Sequence, residues 1–375
     1  MRKRLTAAEV RRLATEPSID RRTEAAALVT STYDRSLTAA EQRLAEEIFR
    51  ALLEDAEVRV RAGLSEALKA NPDIPHDIAM ALACDVEAVA TPVLSFSPAL
   101  LDEDLIAIVK TRSQAHRLAV AGRARVPSQV CQALIETGER EVVTRLVGNE
   151  GADLQEEQLA AVLDGFADDP NVTSPMVRRR ALPMAIAERL VTVVSEHLRE
   201  HLVTHHRLPE DLTAQLVLES RERAVVGLLD GQPERGDVLE LVDRLAKNGR
   251  LTISLSLRAL CAGDLVFFEA ALARLAGVPV VSAFRLLHDG GPVGLKALIS
   301  QAGFSENGYR LARAALEVAG ELRGVVGHID RARLAERTAA VILTKFGDAL
   351  SDAESRFMLG LLGARPPQGL RPTLH

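Results

Sequence analysis

The residues His197, Leu198, Arg199, Glu200 and His201 spell H-x-x-E-H, the order of ligands and base in the inverted zinc peptidases. On a helix, His197 and His201 project from one face a turn apart. Neutral imidazoles there can hold a zinc ion, and Glu200 can take a proton from zinc-bound water. Such a site needs a third protein ligand, and Glu269 is a distant carboxylate that could supply it. The surrounding segment SEHLREHLVTHH counts against the site, because His205 continues the spacing and lies two turns from His197, too far to share one ion. A polar helix face explains the same residues, since a five-residue pattern with two free positions arises easily where His and Glu abound. The expectation is therefore no metal, no cofactor and no catalytic residue, with His197 and His201 as the positions a metal would take. The many Ser, His and Asp residues are not accompanied by G-x-S-x-G or a comparable nucleophile motif.

Three further stretches could bind rather than react. VRRRA, Val177 to Ala181, is the densest basic cluster; Arg178, Arg179 and Arg180 point in different directions on a helix, which suits a solvated face or, alternatively, an acidic partner or anionic ligand. ARLAGVPVVSAFRLL, Ala273 to Leu287, has the cadence of a DNA-binding helix-turn-helix, with Ala273, then Gly277 in the turn, then Ala283 inside. Its second helix, from about Pro279, offers Val280, Val281 and Phe284, with Arg285 and His288 as the readers of base or phosphate, an apolar surface for that task. HDGGPVGLKAL, His288 to Leu298, resembles a phosphate loop superficially, lacks the GK[ST] ending, and reads as a helix stop at Gly291 followed by a helix start at Pro292.

The elements that would position these residues are announced by a recurring helix start. NPDIPHDIAMAL (Asn71 to Leu82) has relatives in RVPSQVCQAL (Arg125 to Leu134), ALPMAIAERL (Ala181 to Leu190) and RLPEDLTAQL (Arg207 to Leu216). The apolar residues just before each start, Ile74, Leu101, Val126, Leu154, Leu182 and Leu208, are spaced by 25 to 28 residues. That interval fits a helix-turn-helix unit that buries its apolar face only against its neighbours. Proline following the apolar residue suits the first helical position, and Asp77, Asp104, Glu156 and Asp211 suit first turns, where negative charge meets the positive helix end. Farther on, Gly249, Gly263, Gly277 and Gly291 stand 14 residues apart and mark helix ends, and LRALCAG (Leu257 to Gly263) echoes FRLLHDG (Phe284 to Gly290).

The resulting expectation is an all-α fold: an α-solenoid of HEAT-like helix pairs with a period of about 27 residues, plus a C-terminal helical region. An N-terminal helical cap spans 1–54 and holds most of the amphipathic LTAAEQRLAEEIFRALLEDAE, Leu37 to Glu57; repeats fill 55–230; a helical domain follows over 231–350, after the linker-like DGQPERGD; and 351–375 is a helix with a flexible tail. Ile78, Leu82, Leu105, Val130, Leu134, Ile186 and Leu190 belong to the core. Composition agrees, for a chain that is 47% hydrophobic with no Trp, nine Phe and two Tyr favours close packing of Ala- and Leu-rich helices over strands.

Residues 1–230 carry 28 Lys and Arg against 37 Asp and Glu, whereas 231–375 carry 18 against 15. Neither half has the basic footprint of a strong nucleic-acid binder. Cys84, Cys131 and Cys261 are far apart without a CxxC pair, which suggests buried, reduced thiols and a cytoplasmic setting. The start MRKRLTAAEVRRL lacks the apolar core of a signal peptide, and no apolar run reaches the roughly 18 residues of a membrane span.

The run from EVRVRAGLSEAL through PVLSFSPALLDEDLIAIVKTRSQAHRLAVAGRARVPSQVCQALIETGEREVVTRLVGNEGADL, with the later LRALCAGDLVFFEAALARLAGVP, resembles the bacterial family known as domain of unknown function 2336 over roughly residues 35–305. The resemblance implies a bacterial, HEAT-like helical protein and brings no catalytic residues with it. The function expected is a non-enzymatic interaction scaffold or regulatory adaptor. It would hold another polypeptide with a basic or amphipathic segment in a helical groove. A helix-turn-helix DNA-binding regulator and a zinc-dependent hydrolase are the alternatives.

Overall fold

The computed structural model describes residues 18–33, 37–206, 209–231, 233–326, 331–346 and 358–362. The basic start of the chain, Leu208, the side chain of His205 and the tail after Leu362 lie outside the described residues. Contacts divide the chain into two compact units at the Leu182–Pro183 junction. The described residues are helical throughout apart from turns and one isolated bridge between Val126 and Ala152, so the all-α expectation holds.

The first unit contains α1 (Ile19–Thr32), α2 (Ala39–Leu53), α3 (Val58–Leu68), α4 (His76–Ala83), α5 (Glu87–Phe96), α6 (Asp102–Thr111), α7 (Gln114–Ala121), α8 (Ser128–Glu136), α9 (Arg140–Val147), α10 (Glu156–Phe166) and α11 (Pro170–Val177). Helices this short are marginal alone and need neighbours. Each odd-numbered helix packs on the next odd one, from α1 to α11; among the even ones α2 meets α4, α6 meets α8, and α8 meets α10. The residues facing inward recur at three- and four-residue steps: Val142, Val143, Leu146 and Val147 in α9, Val130, Ala133 and Leu134 in α8. All seven core residues expected from the sequence are buried.

Helix starts differ from expectation by one position. Pro75, Pro127 and Pro209 are N-caps, with φ of −58°, −62° and −55° and extended ψ, rather than first helical residues. The N-cap asks for that backbone conformation while its carbonyl accepts the first helical bond, and proline meets both demands. The Pro75 carbonyl, for example, accepts from Ala79 N. The acidic residues sit in first turns as expected: Asp77 in α4, Asp104 in α6, Glu156 in α10 and Asp211 in α13 (Glu210–Leu228).

The odd row is stitched by side chains just beyond one helix that donate to carbonyls at the end of the preceding odd helix. Asn71 donates to Tyr33 O beyond α1, and Arg123 donates to Leu94 O and, at 2.8 Å, to Ser97 O beyond α5. Asn149 donates to Ala121 O and Arg123 O beyond α7; Arg179 donates to Val147 O, Asn149 O and Ala152 O beyond α9. Helix ends leave carbonyls without intrahelical partners, and these donors satisfy them from the neighbouring pair. Burial lowers the proton affinity of the Arg123 guanidinium, and the carbonyl oxygens offset that loss of water. Gly151 lies where the Val126–Ala152 bridge forms, and a Cβ there would stand 2.0 Å from Ala124 O, so no larger residue fits this approach.

The second unit begins with a hairpin of long helices, α12 (Met184–His206) and α13, followed by α14 (Arg235–Lys247), α15 (Ile253–Cys261), α16 (Leu265–Ala276), α17 (Val280–His288), α18 (Gly291–Gln301), α19 (Glu306–Val326), α20 (Arg331–Phe346) and the short segment 358–362. Helix α16 is buried at nearly every position and is the hub, touching α14, α15, α17 and α18. Buried charges occur in pairs: Glu222 with Arg258 at 2.9 Å, Glu188 with Arg250 at 3.2 Å; Arg258 also donates to Gly360 O. Gly249, Gly263 and Gly277 follow helix ends, where the left-handed conformation is favoured, and Gly291 opens α18; all four, spaced by 14 residues, have positive φ, from 60° to 88°. Gly290 does not, so the echo of LRALCAG slips by one residue and Gly291 takes the left-handed position.

Candidate functional site

The two rows of the first unit differ in charge. Exposed Asp77, Asp102, Glu103, Glu136, Glu156, Glu157 and Asp164 line α4, α6, α8 and α10, and the exposed Lys and Arg residues of those helices amount to Lys110 alone. Asp77 is paired with Arg50 of α2 at 3.1 Å. The odd helices are mixed, with Arg59, Glu87, Arg140, Glu141 and Arg145 at their surfaces. In α4, α6 and α10 the acidity follows from the helix starts, where acidic residues of the first turns fall on the outer side, while residues at three- and four-residue steps turn inward; Glu136 and Asp164 lie near helix ends instead. Net charge in the sequence hinted at this; the row on which the carboxylates gather becomes visible only in the fold.

The Arg178 to Arg180 cluster is split by its surroundings. Arg179 is held by three carbonyl oxygens, which leaves the exposed Arg178 and Arg180 as the surface charges; the Arg180 main-chain N–H donates to Glu150. This capping role is not legible from three consecutive arginines.

His197 and His201 lie on α12, with Glu196 and Arg199 paired beside them. Glu269 is buried in α16 and engaged by His288, whose Nε2 lies 2.8 Å from Oε1. Among the described residues no group of three His, Cys, Asp or Glu side chains is arranged to hold a metal ion.

The helix-turn-helix cadence has a geometric counterpart. The axes of α16 and α17 differ by 113°, Gly277 has φ 67°, and Ala273 and Ala283 are buried. The outer face of α17 presents Val281 and Phe284, 66% and 41% exposed, with Arg285 exposed beside them. His288, whose ring lies 4.4 Å from that of Phe284 between centroids with the planes tilted by 45°, is paired with Glu269. In HDGGPVGLKAL α17 ends at His288 with Asp289 as its C-cap and α18 opens at Gly291, so Gly291 belongs to the helix start rather than the expected stop, with Pro292 one residue inside.

Cys84, Cys131 and Cys261 are free thiols. Cys131 and Cys261 are buried; Cys84, the C-cap of α4, is only partly so. Among the described residues no single helix is long and apolar enough to cross a membrane.

Fold and surfaces together define a protein of packed short helices with one acidic row. The chain belongs to the family described as an uncharacterised protein conserved in bacteria, DUF2336, whose model matches residues 89–351, well over half the chain. No curated protein and no solved structure matches it significantly.

Proposed function

We propose that the protein is an interaction scaffold whose first unit, a HEAT-like array with a period of about 27 residues, holds a basic or amphipathic segment of another polypeptide along α4, α6, α8 and α10. The acidic row on α4, α6, α8 and α10 is the observation that carries this reading. Parallel helices present carboxylates at regular intervals, which steer a positive segment toward them and set its register. The test is capture from lysate at low salt and at a few tenths molar, with the wild type and a Glu103→Lys, Glu156→Lys, Glu157→Lys variant. Retention of a basic polypeptide, lost with salt and with charge reversal, is expected. Equal retention by the variant would sink the proposal.

The α16–α17 geometry favours a second reading, a DNA-binding regulator, with Arg285 as its exposed reader. Retention of duplex DNA that disappears in Arg285→Ala would replace the scaffold reading with this one.

A further inference from the structure

The second unit contains a cleft of about 410 Å³ between α16, α17, α18 and α19, within the range of roughly 300–1,000 Å³ that small-molecule sites occupy. Its walls are mainly apolar, with Leu265, Leu287, Leu295 and Leu316 contributing. Two basic groups, His288 and Arg313, line it from different helices, as does the carboxylate of Glu317. His288 is fixed in place by Glu269, a carboxylate buried in α16. Arg313 is paired with Glu317 at 3.1 Å, and Glu317 is also held by Lys345 at 2.9 Å. Two cations therefore share one carboxylate. Arg313 can turn to a ligand without stranding Glu317, which keeps Lys345 as its partner.

Gly320 forms part of the wall and lies inside α19, where glycine weakens a helix; a Cβ there would meet no atom within 4 Å. No neighbour requires its smallness, and a long side chain there has open space at the cleft wall to occupy.

We propose that this cleft binds a small amphipathic carboxylate, its chain against the leucines and its carboxylate forked on Arg313. A neutral or cationic analogue would meet the same apolar wall without the surplus positive charge.

The experiment is calorimetric titration of the full chain with decanoate, decanol and decylamine, each below its aggregation limit. Decanoate is expected to bind one per chain, with decanol and decylamine at least about tenfold weaker. Arg313→Ala should lower decanoate affinity at least about tenfold while leaving decanol unchanged, and Glu317→Gln, which removes the competing carboxylate, should raise it. Gly320→Leu should abolish binding with the helical circular dichroism retained, since leucine is the better helix former. Equal affinity for decanol and decanoate, undiminished binding in Gly320→Leu, or no binding of decanoate by the folded chain in the millimolar range would each overturn the proposal.

Discussion

At Arg179 two guanidinium nitrogens meet three main-chain oxygens, while the adjacent Arg178 side chain is exposed. Arg179→Ala is expected to destabilise the protein by about 1–3 kcal/mol, because carbonyls at the end of α9 lose their donor, and Arg178→Ala to stay within about 0.5 kcal/mol of wild type. Urea unfolding of the two variants checks the contrast, and equal effects would contradict the capping role. The thiols divide in a similar way. Burial pushes Cys131 and Cys261 up to about 12, which removes the reactive thiolate at neutral pH, whereas Cys84 is partly exposed. A disulfide reagent should therefore modify Cys84 alone in the native chain and all three cysteines in denaturant.

At the scale of elements, the join between α3 and α5 is an ion pair. The Arg61 guanidinium, 2.6 Å from Asp85 just before α5, holds the Asp85 carboxyl below the usual carboxylate range. A carboxyl depressed on folding stabilises the protein above its unfolded value, near 3.9, and that contribution fades as pH falls through the lower folded value. Asp85→Asn should therefore lower stability at neutral pH and flatten its fall on acidification; a variant whose acid limb matches wild type would show that the pair contributes nothing there. Helix positions and inward faces were legible because they follow from local spacing: Ile78 with Leu82 and Val130 with Leu134 sit four residues apart, and Gly263 and Gly277 close their helices where the 14-residue spacing places them. What pairs across helices was not. The sequence did not show that His288 lies against Glu269, and Gly320 is unremarkable in sequence because the space beside it belongs to three other helices. Proline placement missed by one residue because the first position and the N-cap both tolerate a missing N–H.

At the scale of the whole molecule, the division at Leu182–Pro183 implies that damage in one unit is felt there first. Leu134, fully buried in α8, should cost about 2–5 kcal/mol when cut to Ala. Calorimetry should then show a lower-temperature shift of one transition with the other unmoved; a single transition shifting as a whole would mean that the units unfold together. The carbonyl ties of the odd row bear on how such a chain can change over generations. Every residue has a main-chain oxygen, so the accepting side of each tie tolerates almost any substitution, and the donating side is met by Asn71, Arg123, Asn149 and Arg179 alike. Neighbouring helix pairs are thus free to drift until their letters no longer match while the joint between them keeps its form. That freedom is one reason a common ancestry among the pairs would be hard to detect by alignment, and a pair spliced in from elsewhere would need little more than one well-placed donor to dock.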